Sequence, residues 1–115
     1  QVYPVNDDNV DEELVESIRA PSLDPNAAEV FYRVIDRSSG TPKVFVDDLL
    51  EELECPLLLC WGEEDPWIRP QAADKIQALY PESKRVSIDA GHCPHDEDPD
   101  SVNSAVSYFM TELAK

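Results

Sequence analysis

Asp65 and His92 are the residues of this chain best suited to chemistry, because each follows a short apolar run that reads as a β-strand. Pro56-Leu57-Leu58-Leu59-Cys60-Trp61 empties into Gly62-Glu63-Glu64-Asp65-Pro66-Trp67, and Arg85-Val86-Ser87-Ile88 runs on to Gly91-His92-Cys93-Pro94-His95-Asp96-Glu97. An Asp that accepts the proton of one imidazole nitrogen fixes the tautomer and stabilises the imidazolium, leaving the other nitrogen as a general base. The two residues are two thirds of a nucleophile triad.

The elements around them must bring them together. In an open parallel sheet, the side chains just beyond the carboxyl ends of the strands build the sites, because strands buried between helix layers leave only that rim free. Residues 70 to 80 read as a helix, with Pro70 at its opening, apolar Ala73, Ile76, Ala78 and Leu79, and a stop at Pro81. Strand, crossover helix and strand make a βαβ unit whose right-handed connection puts both strand ends on one edge of the sheet. If the strands are neighbours, Asp65 and His92 share a site.

The apolar strand followed by Gly62-Glu63-Glu64-Asp65-Pro66-Trp67-Ile68, and then Gly91-His92 with Glu97, Pro99 and Asn103 behind it, resembles the C-terminal end of an α/β-hydrolase. The likeness is to the plant branch that also resembles epoxide hydrolases, haloalkane dehalogenases and pheophytinase-type esterases. In such enzymes the acid follows the seventh strand and the histidine the eighth, in the order nucleophile, acid, histidine. The resemblance therefore implies Asp65 as the acid and His92 as the base. It also implies a small hydrophobic ester or epoxide as substrate, and no cofactor.

A nucleophile elbow needs Gly-x-Ser-x-Gly or a close variant. Glycine stands only at 40, 62 and 91, so no such pentapeptide exists in these 115 residues. Ser38-Ser39-Gly40 is better explained as a helix end and turn before Pro42, and Ser101 and Ser104 belong to the last helix. The expectation is that the nucleophile, with the N-terminal core of the same protein, precedes Gln1.

Residues 1 to 54 are expected to be the end of a helical lid and its connection, and 55 to 115 the C-terminal part of the core. In the first part, Asp11 or Asn9 can cap a helix with Val10, Leu14, Val15 and Ile18 on one side and Pro21 at its end. Asp24-Pro25 opens a second helix with the stripe Ala27, Val30, Phe31, Val34 and Ile35, closing near Ser39-Gly40. A third runs from Asp47 to Leu53, and the junction with the core falls between Val44 and Cys55. At the other end Asp98 or Asp100 caps a last helix, with Pro99 near its first position and Val102, Ala105, Val106, Phe109, Met110 and Leu113 at helix spacing. It should cover one face of the sheet.

Of the remaining site residues, Trp67 either lines the pocket mouth or simply packs. His95 packs or hydrogen-bonds into the following loop, Glu97 ties the loop to the helix start as a structural acceptor, and Glu63 and Glu64 face solvent. Cys55, Cys60, His92, Cys93 and His95 could be taken for a zinc cluster, but five-residue spacing along a strand puts Cys55 and Cys60 on opposite faces and no CxxC pair exists. No metal is expected.

Composition narrows the function classes. Twenty-five acidic residues against nine basic give a net charge of −16, ten units of it within residues 1 to 55. Such a surface repels phosphate backbones, which argues against nucleic-acid binding, and a solvated acidic face explains it better than a docking patch. No apolar run approaches the roughly 20 residues of a membrane span. Three cysteines fit a reducing, intracellular compartment better than a disulfide framework; the resemblance admits the chloroplast as well as the cytoplasm.

The fold class expected is α/β: the C-terminal portion of an α/β-hydrolase fold, its last two parallel strands with their helices, preceded by helices of a lid. The function expected is a hydrolase whose acid and histidine lie here and whose nucleophile does not. A serine nucleophile makes it an esterase, and an aspartate makes it an epoxide hydrolase or haloalkane dehalogenase. The competing reading is a non-catalytic acidic interaction module, or a truncated product without activity of its own.

Overall fold

A computed structural model describes residues 2–36 and 45–115. The expected turn at Ser38-Ser39-Gly40, the end of the second helix there and the first residue of the lid junction at Val44 lie outside the described residues. Two compact units divide the chain, one of residues 2–9 with 45–115 and the other of residues 10–36 within the span 10–44. Compactness groups residues by contact and so does not address the lid and core division expected at 54/55.

In the first unit, β1 (Leu58–Gly62) and β2 (Lys84–Ile88) form a two-stranded parallel sheet, in register from Leu58 opposite Lys84 to Gly62 opposite Ile88. Parallel pairing needs a crossover, and helix α4 (Gln71–Leu79) supplies it as the period of its apolar residues predicts. The ladder runs on beyond both ends. Lys84 N donates to Leu57 O (2.8 Å), Glu63 N to Ile88 O (2.9 Å) and Glu64 N to Ala90 O (3.0 Å). The two loops that carry Asp65 and His92 are thus zipped together by backbone before any side chain acts.

The flanking helices follow their caps. Helix α6 (Pro99–Leu113) begins where Asp98 Oδ1 accepts the Ser101 amide at 3.1 Å, with Pro99 in the first turn, where its missing N–H leaves no bond unmade. It packs against both strands. Helix α3 (Val46–Glu51) packs against α4. Leu50, Ala73, Ile88 and Ala90 are the buried apolar side chains among the described residues. A short helix, α5 (Pro94–Glu97), stands where the sequence suggested a loop, since Pro94 supplies a helical φ at its first position.

Arg85, its side chain largely buried, ties the unit together, with Nη1 2.6 Å from Asp74 on α4 and Nη2 2.8 Å from Glu63 on the loop after β1. Glu63 is exposed, as expected of a solvent-facing residue, and still finds this partner.

In the second unit, α1 (Glu12–Arg19) starts from Asp11, whose carboxylate accepts the Leu14 amide at 2.8 Å. Pro21 does not stop the chain dead. A 3₁₀ turn (Ala20–Leu23) carries it past Arg19, because a proline at the start of a turn needs no N–H partner. Helix α2 (Ala27–Ile35) follows, with Val30, Phe31, Val34 and Ile35 exposed.

Candidate active site

Asp65 and His92 meet. His92 Nδ1 lies 2.9 Å from Asp65 Oδ2, inside the range of a hydrogen bond between a charged acceptor and a ring N–H. An ionised carboxylate can only accept, so Nδ1 carries a proton, and in the neutral ring Nε2 is then the nitrogen with the lone pair. The Asp65 side chain is 7% exposed and that of His92 29%, which leaves the acid enclosed and the imidazole partly open.

The acid is held by its own loop. Asp65 Oδ1 accepts the amides of Trp67 (2.8 Å) and Ile68 (3.0 Å), an Asx-type turn that aims Oδ2 away from solvent and toward His92. Trp61, the penultimate residue of β1, donates its indole N–H to Ile68 O (3.0 Å) and closes that loop against the strand. Burial works to raise the Asp65 pKa, but the Ile68 amide, the His92 side chain and the Trp67 amide outweigh it and hold the carboxyl below the ordinary aspartate range. The group stays a carboxylate, as an orienting acid must.

The base is held by different neighbours. His92 N donates to Val2 O at 3.2 Å. One residue earlier, the Gly91 amide donates to Glu97 Oε2 at 2.5 Å. Glu97 is 1% exposed, and its other oxygen accepts the amides of Val5 (2.6 Å) and Asn6 (2.8 Å). Asn6 Nδ2 donates to Glu97 O (3.0 Å), Asn9 Nδ2 to Asp96 O (2.6 Å), and the Tyr3 hydroxyl to Asp96 Oδ2 (2.9 Å). Burial, and then the adjacent Asp96 carboxylate, push the Tyr3 phenol well above its ordinary pKa, which keeps it a donor.

Both glycines of the site are there for closeness. A Cβ on Gly62 would meet Gly91 O, and one on Gly91 would meet Pro4 Cδ at 2.2 Å and Val2 O at 2.5 Å. Only a residue without a side chain lets the two strand ends and the 2–6 segment converge.

Trp67 is 63% exposed and stacks obliquely on His92, with ring centroids 4.6 Å apart and planes at 55°. It therefore packs on the imidazole and still offers an apolar face to solvent. His95 is exposed, with Nε2 3.7 Å from Asp96 Oδ2, and does not join the pair. Glu97 does act as a structural acceptor, but at the turn before His92 and on residues 5 and 6; the start of α6 is capped by Asp98. Sequence reasoning missed the part played by residues 2–6, because a polar, Pro-containing stretch without periodicity gives no sign of what it will lie against.

Among the described residues no group of three His, Cys, Asp or Glu side chains is disposed to hold a metal ion, and no helix is long and apolar enough to cross a membrane. Cys55, Cys60 and Cys93 are free thiols.

The chain is 36% identical over 119 residues to pheophytinase, chloroplastic, of Arabidopsis thaliana, in a match that covers 98% of this chain and 24% of that protein. To the uncharacterized hydrolase YugF of Bacillus subtilis (strain 168) it is 26% identical over 102 residues, covering 88% of this chain and 36% of that one. The chain thus spans about a quarter and about a third of the length of these two curated relatives. No protein-family profile matches it.

Proposed function

We propose that this chain, whose sequence and fold are those of the C-terminal part of an α/β-hydrolase, contributes the acid and the base of a nucleophile–histidine–acid triad. The observation that carries the reading is the 2.9 Å contact of Asp65 Oδ2 with His92 Nδ1 at the ends of two adjoining parallel strands. In this reading Asp65 orients the imidazole and stabilises its cation. Nε2 takes the proton of the attacking group and returns it to the leaving group. Trp67 forms part of the wall against which an apolar substrate lies.

The nucleophile belongs to a part of the protein outside these 115 residues. The support is the absence of any Gly-x-Ser-x-Gly here and the small share of each relative that the chain matches. Residues 1 to 54 are the end of a helical lid with its connection, and 55 to 115 the C-terminal part of the core. The likeness to a protein named pheophytinase favours an apolar ester as substrate, and hence a serine nucleophile, over an epoxide or haloalkane attacked by aspartate. The same relative favours the chloroplast, a compartment that suits free thiols.

The test compares the full-length protein with its His92→Gln variant, using p-nitrophenyl butyrate as a probe ester and a fluorophosphonate as a label. Turnover and labelling that both collapse in the variant support the reading. A wild-type rate in His92→Gln sinks it. Turnover of an epoxide probe that His92→Gln abolishes, with neither ester turnover nor fluorophosphonate labelling, keeps the pair and moves the nucleophile to aspartate. The 115-residue chain alone is expected to show no turnover above a denatured control.

A further inference from the structure

We propose that Glu97 is the positioning residue of His92: its buried carboxylate bridges the turn that carries the imidazole to the backbone of residues 5 and 6. The proposal rests on the reading of Asp65 and His92 as an acid and base pair. Three backbone N–H groups converge on this one side chain, from Gly91 at 2.5 Å on Oε2 and from Val5 and Asn6 at 2.6 and 2.8 Å on Oε1. A buried carboxylate is expensive to desolvate, and it persists where several fixed donors replace the lost water. Here those donors come from two places remote in sequence, the residue that precedes the base and the segment whose Val2 carbonyl accepts the His92 amide.

The geometry leaves His92 little freedom except through this bridge. Asp65 is fixed by its own loop, through the Trp67 and Ile68 amides, and needs nothing from Glu97. His92 follows a glycine, and its own amide donates to Val2 O (3.2 Å) on the same segment that Glu97 grips. Pinning Gly91, the residue just before the base, together with the segment whose Val2 carbonyl accepts the His92 amide, sets where the ring stands relative to Oδ2. Catalytic groups must be held to within fractions of an ångström, so a residue that touches neither substrate nor imidazole can still govern the rate.

Glutamine in place of Glu97 has one oxygen instead of two, so it can serve Gly91 or the Val5 and Asn6 amides but not both. The experiment uses the full-length protein labelled with ¹⁵N-histidine, with the His92 Nδ1–H resonance identified by its loss in His92→Gln. Kinetics on p-nitrophenyl butyrate and thermal unfolding are measured beside it. Glu97→Gln is expected to shift or broaden that resonance and to lower kcat by about tenfold or more while KM stays within about twofold. An unchanged resonance and kcat overturn the proposal, whatever happens to the Tm.

Should Glu97→Gln fail to fold, Asn6→Ala decides. It removes the Nδ2 donor to Glu97 O (3.0 Å) together with the Oδ1 acceptor of the Asp8 amide (3.0 Å) and leaves the Val5 and Asn6 amides in place, and the same shift in the same direction, smaller in size, is expected. No shift overturns the proposal. Asp65→Asn keeps the two readings apart. If it leaves resonance and rate untouched, the acid and base pair itself falls and takes this role with it. If it moves both while Glu97→Gln moves neither, the pair stands and Glu97 is only a structural residue.

Discussion

Gly62 and Gly91 face each other backbone to backbone, so closely that a Cβ on Gly62 would lie 1.9 Å from the carbonyl oxygen of Gly91. Nothing there can swing aside, since the next atoms met are the Ala90 carbonyl oxygen at 2.5 Å and the Gly91 carbonyl carbon at 2.9 Å. The level at which Asp65 meets His92 is therefore set by the main chain.

Gly62→Ala should destabilise the full-length protein by about 2 kcal/mol or more, because the strand ends must part to admit the methyl group. Urea unfolding measures it. A midpoint unchanged from wild type would mean that the loops have slack the structure does not display.

Asp65→Asn should lower kcat on p-nitrophenyl butyrate by roughly 10²- to 10⁴-fold with a small effect on KM, since an amide can neither demand the Nδ1–H tautomer nor stabilise the imidazolium. Steady-state kinetics decide it. A KM effect alone would assign the residue to binding.

Acid should remove a contribution that Asp65→Asn lacks. The folded-state pKa of Asp65 is depressed: burial opposes this, and the Ile68 amide, His92 and the Trp67 amide together prevail. A depressed carboxyl stabilises the fold fully above its unfolded value, about 3.9, and loses that effect as pH falls through the lower folded value. The difference in unfolding free energy between wild type and Asp65→Asn should thus hold constant above about pH 5 and shrink as pH is lowered from there through about 4 towards about 3. A difference that is flat across that window, or that grows, contradicts the assignment.

Trp67→Ala should raise KM for an apolar ester several-fold more than it changes kcat, because it removes exposed aromatic surface beside the imidazole and leaves the Asp65 contact intact. An equal fall in kcat would place the indole in control of the ring's orientation.

The 115-residue chain by itself should be marginally stable or should associate. Among the described residues its sheet has two strands, each with a free edge, and large side chains such as Trp67, Ile68, Val106, Tyr108 and Met110 are exposed. Charge repulsion from a net −16 opposes association without closing the edges. Sedimentation at several concentrations with equilibrium urea unfolding tests this. A monomer with a cooperative stability of about 5 to 15 kcal/mol would show a self-sufficient domain.

Local grammar made much of this legible. The unbroken Leu57-Leu58-Leu59 run and the Arg85–Ile88 strand, joined by one proline-bounded helix, admit few arrangements other than a parallel pair, and the pair follows with Asp65 and His92 at its rim. Asp98 and Pro99 likewise mark the start of α6. What stayed hidden is what depends on a distant partner. Glu97 is one acidic residue among 25, and nothing local distinguishes a carboxylate that will be buried on three amides from one that will sit in water. The chain from Val2 to Asn9 has neither helical nor strand period, so its place beside α5 is a matter of tertiary fit. Pro94 could have signalled α5, had it been read as a first helical residue and not as a loop proline.

The bridge from Val5 to Glu97 joins residues 92 apart, whereas Asp65 and His92 are only 27 apart. Closing the longer span costs about 1 kcal/mol more in chain entropy, since the closure term grows with the logarithm of length. The acid and the base lie within one βαβ unit, whereas the fastening of the histidine turn draws on residues far from it in sequence. Chain entropy therefore favours pairing of the two groups ahead of the contacts that fix the imidazole in place.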